Sequence, residues 1–378
     1  MRGFDEPAAL LREAVAEGVV PGAVARVGVG EEILWEEAVG WAAIFPERRD
    51  TTAETVYDVA SVTKVAATTS AACLLAERGA LGLDDRVGKH LPGWPPDKAA
   101  LTVRQLLTHT AGLAGWKAYW RMWLETHDLK GHEASPSRDS KGWVLETIAS
   151  DDLISEPGAA CKYSDPGFIV LWELLERVAG EPLGTFLARE LFGPLGMDST
   201  FFVDITTNEP LPVERGRIAP TEDCPTRGRL LCGEVHDLNS WALGGVAGHA
   251  GLFTTAADLH KLGAAWLSGI RGEAHGPFTP PWAAEFVRLQ RPDLESSYTL
   301  GWDSPQGEGS LAGGLLGPGA RGHWGYTGCS LWLDPASGIV IVLLTNRPHP
   351  HDTPPEAMAA FRPRLHDAVV SAAEKALR

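Results

Sequence analysis

The run Tyr57-Asp58-Val59-Ala60-Ser61-Val62-Thr63-Lys64, continuing through Val65-Ala66-Ala67-Thr68-Thr69-Ser70-Ala71-Ala72-Cys73-Leu74-Leu75-Ala76, organises the reading of the whole chain. Between Val59 and Ala76 the only charged residue is Lys64, and a helix that is apolar or small on every face belongs in a core. An ammonium buried there needs a partner. Residues three apart on a helix share a face, so the Lys64 amine comes within reach of the Ser61 hydroxyl. Burial also makes a lysine easier to deprotonate. A weak hydroxyl beside a base, at a helix N-terminus whose partial positive charge favours a developing anion, is the general form of an activated nucleophile. Ser61 as a simple helix cap, with Lys64 reaching out to water, is the bland alternative, so partners elsewhere in the chain must decide.

Working outward to the N-terminus, residues 7–17 carry apolar positions at helical spacing and stop at Gly18. Two β-rich runs follow, from Gly22 and from Glu32, joined by Gly30-Glu31 as a hairpin. Beyond Ser61, helical patterns dominate to about residue 290. Leu101 to Thr110 reads as a short helix capped at Thr102 and ended near Gly112, which makes His109 a helix-end histidine bonding local backbone. Residues 114–145 gather Trp116, Tyr119, Trp120, Trp123 and Trp143 around a polar stretch, either as an aromatic wall for an acyl group or as ordinary core. Cys161 to Gly167 is a turn that places Tyr163 at the entrance of an apolar helical run, Phe168 to Val178. Residues 209–233, rich in Pro, Arg and Gly, read as a surface excursion. Glu234, His236, Asp237 and His249 lack the spacing of a metal motif, and no metal or other cofactor is implied. Thr255 with Asp258 is a capping signal.

The last part returns to strands: Tyr298–Asp303, Gly322–Gly328, Cys329–Asp334 and Gly338–Asn346, then a closing helix from about Pro355. His349, His351 and Asp352 read as a solvated loop. These elements predict an α/β architecture of the α+β type. Residues 1–59 and 295–378 share one antiparallel sheet flanked by terminal helices, residues 60–294 form a mostly helical lobe, and the active site lies between the two.

Composition narrows the function. A net charge of −16 over 378 residues repels phosphate backbones and disfavours nucleic-acid binding. Five cysteines, at 73, 161, 224, 232 and 329, include no C-x-x-C pair and fit a reducing compartment. The N-terminal stretch Met1 to Pro7 places acids where a secretory signal needs an apolar run, and no segment reaches the length of a membrane span. The expectation is a soluble, cytoplasmic protein with a small-molecule substrate, no nucleic-acid partner and no membrane partner; oligomeric state is not legible.

Three motifs stand in order: Ser61-Val-Thr-Lys64, Tyr163-Ser-Asp165 and His323-Trp324-Gly325. With Leu106 to Leu113, Gly248 to Phe253 and Leu331 to Pro335, they make the chain resemble, over nearly its whole length, the penicillin-recognising serine hydrolases, in the branch of class C β-lactamases, DD-peptidases and related family VIII-like esterases. That resemblance implies acyl transfer through an acyl-enzyme. Ser61 is then the nucleophile, Lys64 and Tyr163 share the base work, and the Ser61 and Tyr326 backbone N–H groups form the oxyanion hole. Asp165, His323, Trp324 and Gly325 then border the substrate. Strand alternation agrees in placing His323 and Gly325 on one face, with His323 at the cleft and able to charge near neutral pH.

Two departures bear on substrate. His323-Trp324 stands where β-lactamases and DD-peptidases usually have Lys-Thr, which holds a carboxylate, and Asp165 stands where Asn usually donates to an amide. Both lean towards neutral esters. The alternatives are a D-alanyl peptidase or weak β-lactamase acting on peptidoglycan-type substrates and, from another class, a non-catalytic binding or sensing protein that keeps the fold. No G-x-S-x-G elbow is present, which disfavours an α/β-hydrolase.

Overall fold

The computed structural model describes residues 3–273, 276–306 and 310–378, so Met1 and Arg2 of the N-terminal stretch lie outside it. The strands in chain order are β1 (Gly22–Val29), β2 (Glu32–Ala43), β3 (Arg49–Asp50), β4 (Tyr57–Asp58), β5 (Phe201–Phe202), β6 (Asp223–Cys224), β7 (Arg229–Leu230), β8 (Leu252–Thr254), β9 (Arg321–Trp324), β10 (Ser330–Asp334) and β11 (Ile339–Thr345). Six of them form an antiparallel sheet in the order β3-β2-β1-β11-β10-β9. The two ends of the chain meet at its centre, where Ala23 faces Thr345 and Val29 faces Ile339.

The central strand β11, Ile-Val-Ile-Val-Leu-Leu-Thr, is apolar on both faces because both are covered. Ile341 and Leu343 pack with Leu11, Phe361, Leu365 and Val369 of the terminal helices Asp5–Ala16 and Pro355–Ala376. Val340, Val342 and Leu344 point the other way, into the larger core shared with the helical lobe. The helix Ala256–Ile270 lies on that side, capped by the Thr255 hydroxyl, which accepts the Asp258 N–H. It lies close because Gly263 faces Val340 and Leu333, where a Cβ would leave only 2.7 Å to a Val340 methyl.

The predicted antiparallel sheet, flanking terminal helices and helical middle are all present. Thr102 caps its helix in a reciprocal box with Gln105. Three expectations differ from the structure. Tyr298–Asp303 is no strand: its backbone pairs with the sheet at a single isolated bridge, Asp303–Gly322. The 209–233 excursion is partly internal, with Ile218 and Arg227 buried. His349 is buried rather than solvated, because its Nε2 accepts the Ile44 and Phe45 N–H groups and its Nδ1 bonds the Thr221 carbonyl. No helix among the described residues is long and apolar enough to cross a membrane.

Candidate active site

Short strand β4 pairs with β8 and delivers Ser61 into a tight 3-10 turn, Ala60–Val62. The next segment, Lys64–Thr69, is π-helical before α-helix resumes at Ser70, so the expected helix is present but overwound and then widened at the reactive residues. Lys64, fully buried, places Nζ 3.1 Å from Ser61 Oγ, 2.7 Å from Asp165 Oδ1 and 3.2 Å from the His249 carbonyl. Burial lowers the Lys64 pKa, and the Asp165 carboxylate opposes it.

Tyr163 arrives on the turn before the helix Asp165–Ala179, whose N-cap is Ser164. Lys64 Nζ stands 4.7 Å from the centre of the Tyr163 ring. The Tyr163 pKa is driven well up by burial and by Asp165, with a hydrogen bond from Ser61 acting the other way. His109 holds this turn from both sides: its carbonyl accepts the Lys162 N–H at 2.8 Å and its Nδ1 accepts the Ser164 N–H at 3.0 Å. The expected bonding to local backbone is corrected: the His109 ring and carbonyl reach across the fold to the two amides flanking Tyr163, 53 and 55 residues further along the chain.

The third motif closes the pocket from the sheet edge. His323 is buried, its ring 5.9 Å from that of Tyr163, with Nδ1 bonded to the Trp324 carbonyl. Burial and the nearby Lys64 push its pKa down to about 3, so it is neutral at physiological pH. The expectation that it charges near neutrality is corrected: packing excludes the water an imidazolium needs. Gly325 presses on the turn that carries Ser61, where any Cβ would overlap the Val59 carbonyl. Tyr326 follows, 44% exposed, with its ring stacked on His236 and its hydroxyl donating to Asp352.

Two buried arginines hold this edge, and neither was singled out from sequence. Arg362 donates to the Gly325 and Gly328 carbonyls, and Arg347 donates twice to the Tyr326 carbonyl while pairing with Asp352 at 2.8 Å. The available signal was positional: Arg347 stands two residues past the end of the apolar β11, and Arg362 interrupts the buried face that Phe361 and Leu365 define.

The acidic and histidine residues near 234–249 have protein partners. Glu234 pairs with Arg227 and Arg229. Asp237 caps the short helix Leu238–Ala242 through the Ser240 N–H and bonds His249 Nε2 at 2.9 Å. Burial alone would raise Asp237, yet the charge and hydrogen bond of His249 hold it below the usual carboxylate range. The aromatic group at 114–145 divides: Tyr119 and Trp123 are core, Trp120 and Trp143 pack against it, and Trp116 stands 58% exposed.

A buried amine beside a serine hydroxyl, a phenol on the facing turn and a glycine-bearing sheet edge define a serine acyl-transfer enzyme. The beta-lactamase family profile matches residues 8–362, and the chain belongs to that family. It is a serine hydrolase of the β-lactamase/transpeptidase fold. A Salmonella typhimurium protein described as "Putative D-alanyl-D-alanine carboxypeptidase" is 32% identical over 320 residues, covering 79% of this chain and 71% of its own length. Among solved structures, "EstCE1, a hydrolase with promiscuous acyltransferase activity" superposes with a TM-score of 0.74 at 25% identity, covering 97% of this chain and 98% of that one. A penicillin-binding protein homologue from Caulobacter crescentus shares the fold, with a TM-score of 0.71 at 20% identity and coverage of 98% of each chain.

Proposed function

We propose that this protein is a serine esterase that hydrolyses small neutral esters through an acyl-enzyme. The observation that carries the reading is the 3.1 Å approach of the buried Lys64 Nζ to Ser61 Oγ. Ser61 Oγ attacks the ester carbonyl and its proton passes to the Lys64–Tyr163 pair, whose two groups titrate together. The Ser61 and Tyr326 N–H groups receive the negative charge on the carbonyl oxygen. The tetrahedral intermediate collapses as the alkoxide leaves with that proton. Water then attacks the acyl-enzyme, giving up a proton to the same pair, and the acid departs as Ser61 is reprotonated.

The preference for neutral esters rests on the third motif. His323 is uncharged and its Nδ1 is already engaged, so the position that would hold a substrate carboxylate offers no cation. Exposed Trp116 and half-exposed Tyr326 supply aromatic surface suited to an apolar acyl group.

The test is p-nitrophenyl ester hydrolysis by wild type and Ser61→Ala, with fluorophosphonate labelling of Ser61. The reading expects turnover and labelling in wild type and neither in the variant; undiminished turnover by Ser61→Ala ends it. The Salmonella relative favours a second reading, a D-alanyl peptidase. Release of D-alanine from a D-alanyl dipeptide, or nitrocefin turnover, faster than ester hydrolysis would put that reading first.

A further inference from the structure

Asp58 closes strand β4, three residues before the nucleophile, and is 1% exposed. All three of its oxygens are used, each on a different part of the pocket. Oδ1 accepts the Ala60 N–H at 2.9 Å, Oδ2 accepts the His236 N–H at 2.7 Å, and the main-chain carbonyl accepts the Thr327 hydroxyl at 2.8 Å.

Each donor leads to the reacting centre. Ala60, immediately before Ser61, has φ +47, a left-handed conformation that is unfavourable for a residue with a Cβ and persists only where its surroundings impose it. The bond from Asp58 Oδ1 to its N–H is such a constraint. Thr327 adjoins Tyr326, and His236 stacks on the Tyr326 ring at 5.5 Å. One side chain with its own carbonyl therefore ties the turn carrying Ser61 to the turn carrying Tyr326. A carboxylate suits this place because both oxygens accept, whereas an amide must turn its NH2 towards one of the two N–H donors.

We propose that Asp58 is the positioning residue of the oxyanion pocket, holding the Ser61 turn in its left-handed entry and fixing the spacing between the Ser61 and Tyr326 N–H groups. This rests on the reading of those two amides as the oxyanion donors. Burial raises the Asp58 pKa to about 6, with the His236 and Ala60 N–H groups drawing it back, so the carboxylate remains ionised at neutral pH. Asp237 and Arg227 act on it in opposite directions.

The experiment compares ester hydrolysis by wild type, Asp58→Asn, Ala60→Gly and the double variant, with thermal midpoints recorded alongside. Misplacing one oxyanion donor costs about 10²–10³ in kcat, so Asp58→Asn is expected to lose on the order of 10²-fold in kcat with KM changed less than about threefold. Glycine takes positive φ freely, so adding Ala60→Gly is expected to recover about tenfold. Rescue of kcat by an added glycine is a readout that general destabilisation does not produce.

Should Asp58→Asn fail to fold, Thr327→Val cuts the tie at its other end. It is expected to show the same kcat-only loss, on the order of tenfold. A folded Asp58→Asn with kcat within threefold of wild type overturns the proposal, as does a double variant with no recovery or, in the fallback, an unaffected Thr327→Val. Ser61→Ala keeps the two failures apart: a variant that still turns over ester sinks the reading of Ser61, whereas a dead Ser61→Ala beside a fully active Asp58→Asn sinks only the positioning role.

Discussion

Lys64 Nζ and Asp165 Oδ1 lie 2.7 Å apart, the ammonium fully buried and the carboxylate at the cleft wall. The pair decides both how strongly the site is held and how readily the lysine gives up its proton, because the same carboxylate that compensates a buried cation also opposes its deprotonation.

Removing either partner should therefore have unequal effects. Asp165→Ala leaves the Lys64 ammonium uncompensated and is expected to lose about 3–5 kcal/mol at neutral pH, the usual cost of breaking a buried pair. Lys64→Met leaves only the Asp165 carboxylate, which at 14% exposure on the cleft wall keeps access to water, and is expected to be inactive but to lose less stability than Asp165→Ala. Urea denaturation with an ester assay measures both, and an Asp165→Ala as stable as wild type contradicts the account.

Asp165→Asn tests the proton balance. Asp165 raises the Lys64 pKa against burial, so its neutralisation lowers that pKa further and leaves more free amine at any given pH. The acid limb of the kcat/KM profile is expected to move to lower pH. A shift in the opposite direction would remove Lys64 from the base role.

Tyr163→Phe removes the phenol and keeps the ring packed against His109 and His323. The expected loss in kcat is about 10²–10⁴-fold, the scale of a positioned acid–base group, with little change in thermal midpoint. Turnover within threefold of wild type would show that Lys64 works alone.

Arg362→Lys tests the sheet edge. A lysine keeps the charge but not the planar fork that reaches both the Gly325 and Gly328 carbonyls. Activity is expected to fall about tenfold or more with the fold retained, as judged by circular dichroism. An unaltered kcat would show that Gly325 is held without it.

Stability should fall on mild acidification. His236, His260, His349 and His366 are each pushed down to about 4, chiefly by burial, against 6.5 when unfolded. Between those values the unfolded chain binds more protons than the native one, so their contribution is complete above pH 6.5 and is lost as pH falls towards 4. Asp58, raised to about 6, acts in the opposite sense between pH 6 and 3.8, as do Asp303 and Glu222, raised by burial, but buried His109 and His323 are pushed down as well and add to the four. Thermal midpoints at pH 7, 6 and 5 are expected to decline in order; a flat series would mean that these histidines titrate normally.

Much of this is legible in the sequence alone wherever the relevant distance is short along the chain. Ser61 and Lys64 are three residues apart, and backbone geometry alone brings such neighbours together. The Thr102 cap and the hairpin at Gly30-Glu31 were readable for the same reason. Tyr298–Asp303 misled because its β-prone residues form a single bridge where no full strand partner runs alongside.

By itself, then, the sequence determined the local devices: a serine hydroxyl one turn from a lysine amine, a phenol at a helix entrance, a glycine at a strand end, and a terminal sheet able to be covered on both faces. The tertiary structure alone decided which distant groups meet them and in what state of charge. Asp165 reaches Lys64 across 101 residues, and Arg362 reaches Gly325 across 37. His323, read as a group able to charge near neutrality, is held uncharged because packing removes its water. Spacing along a chain sets geometry over a few bonds, whereas desolvation and long-range pairing depend on the whole fold closing around a residue.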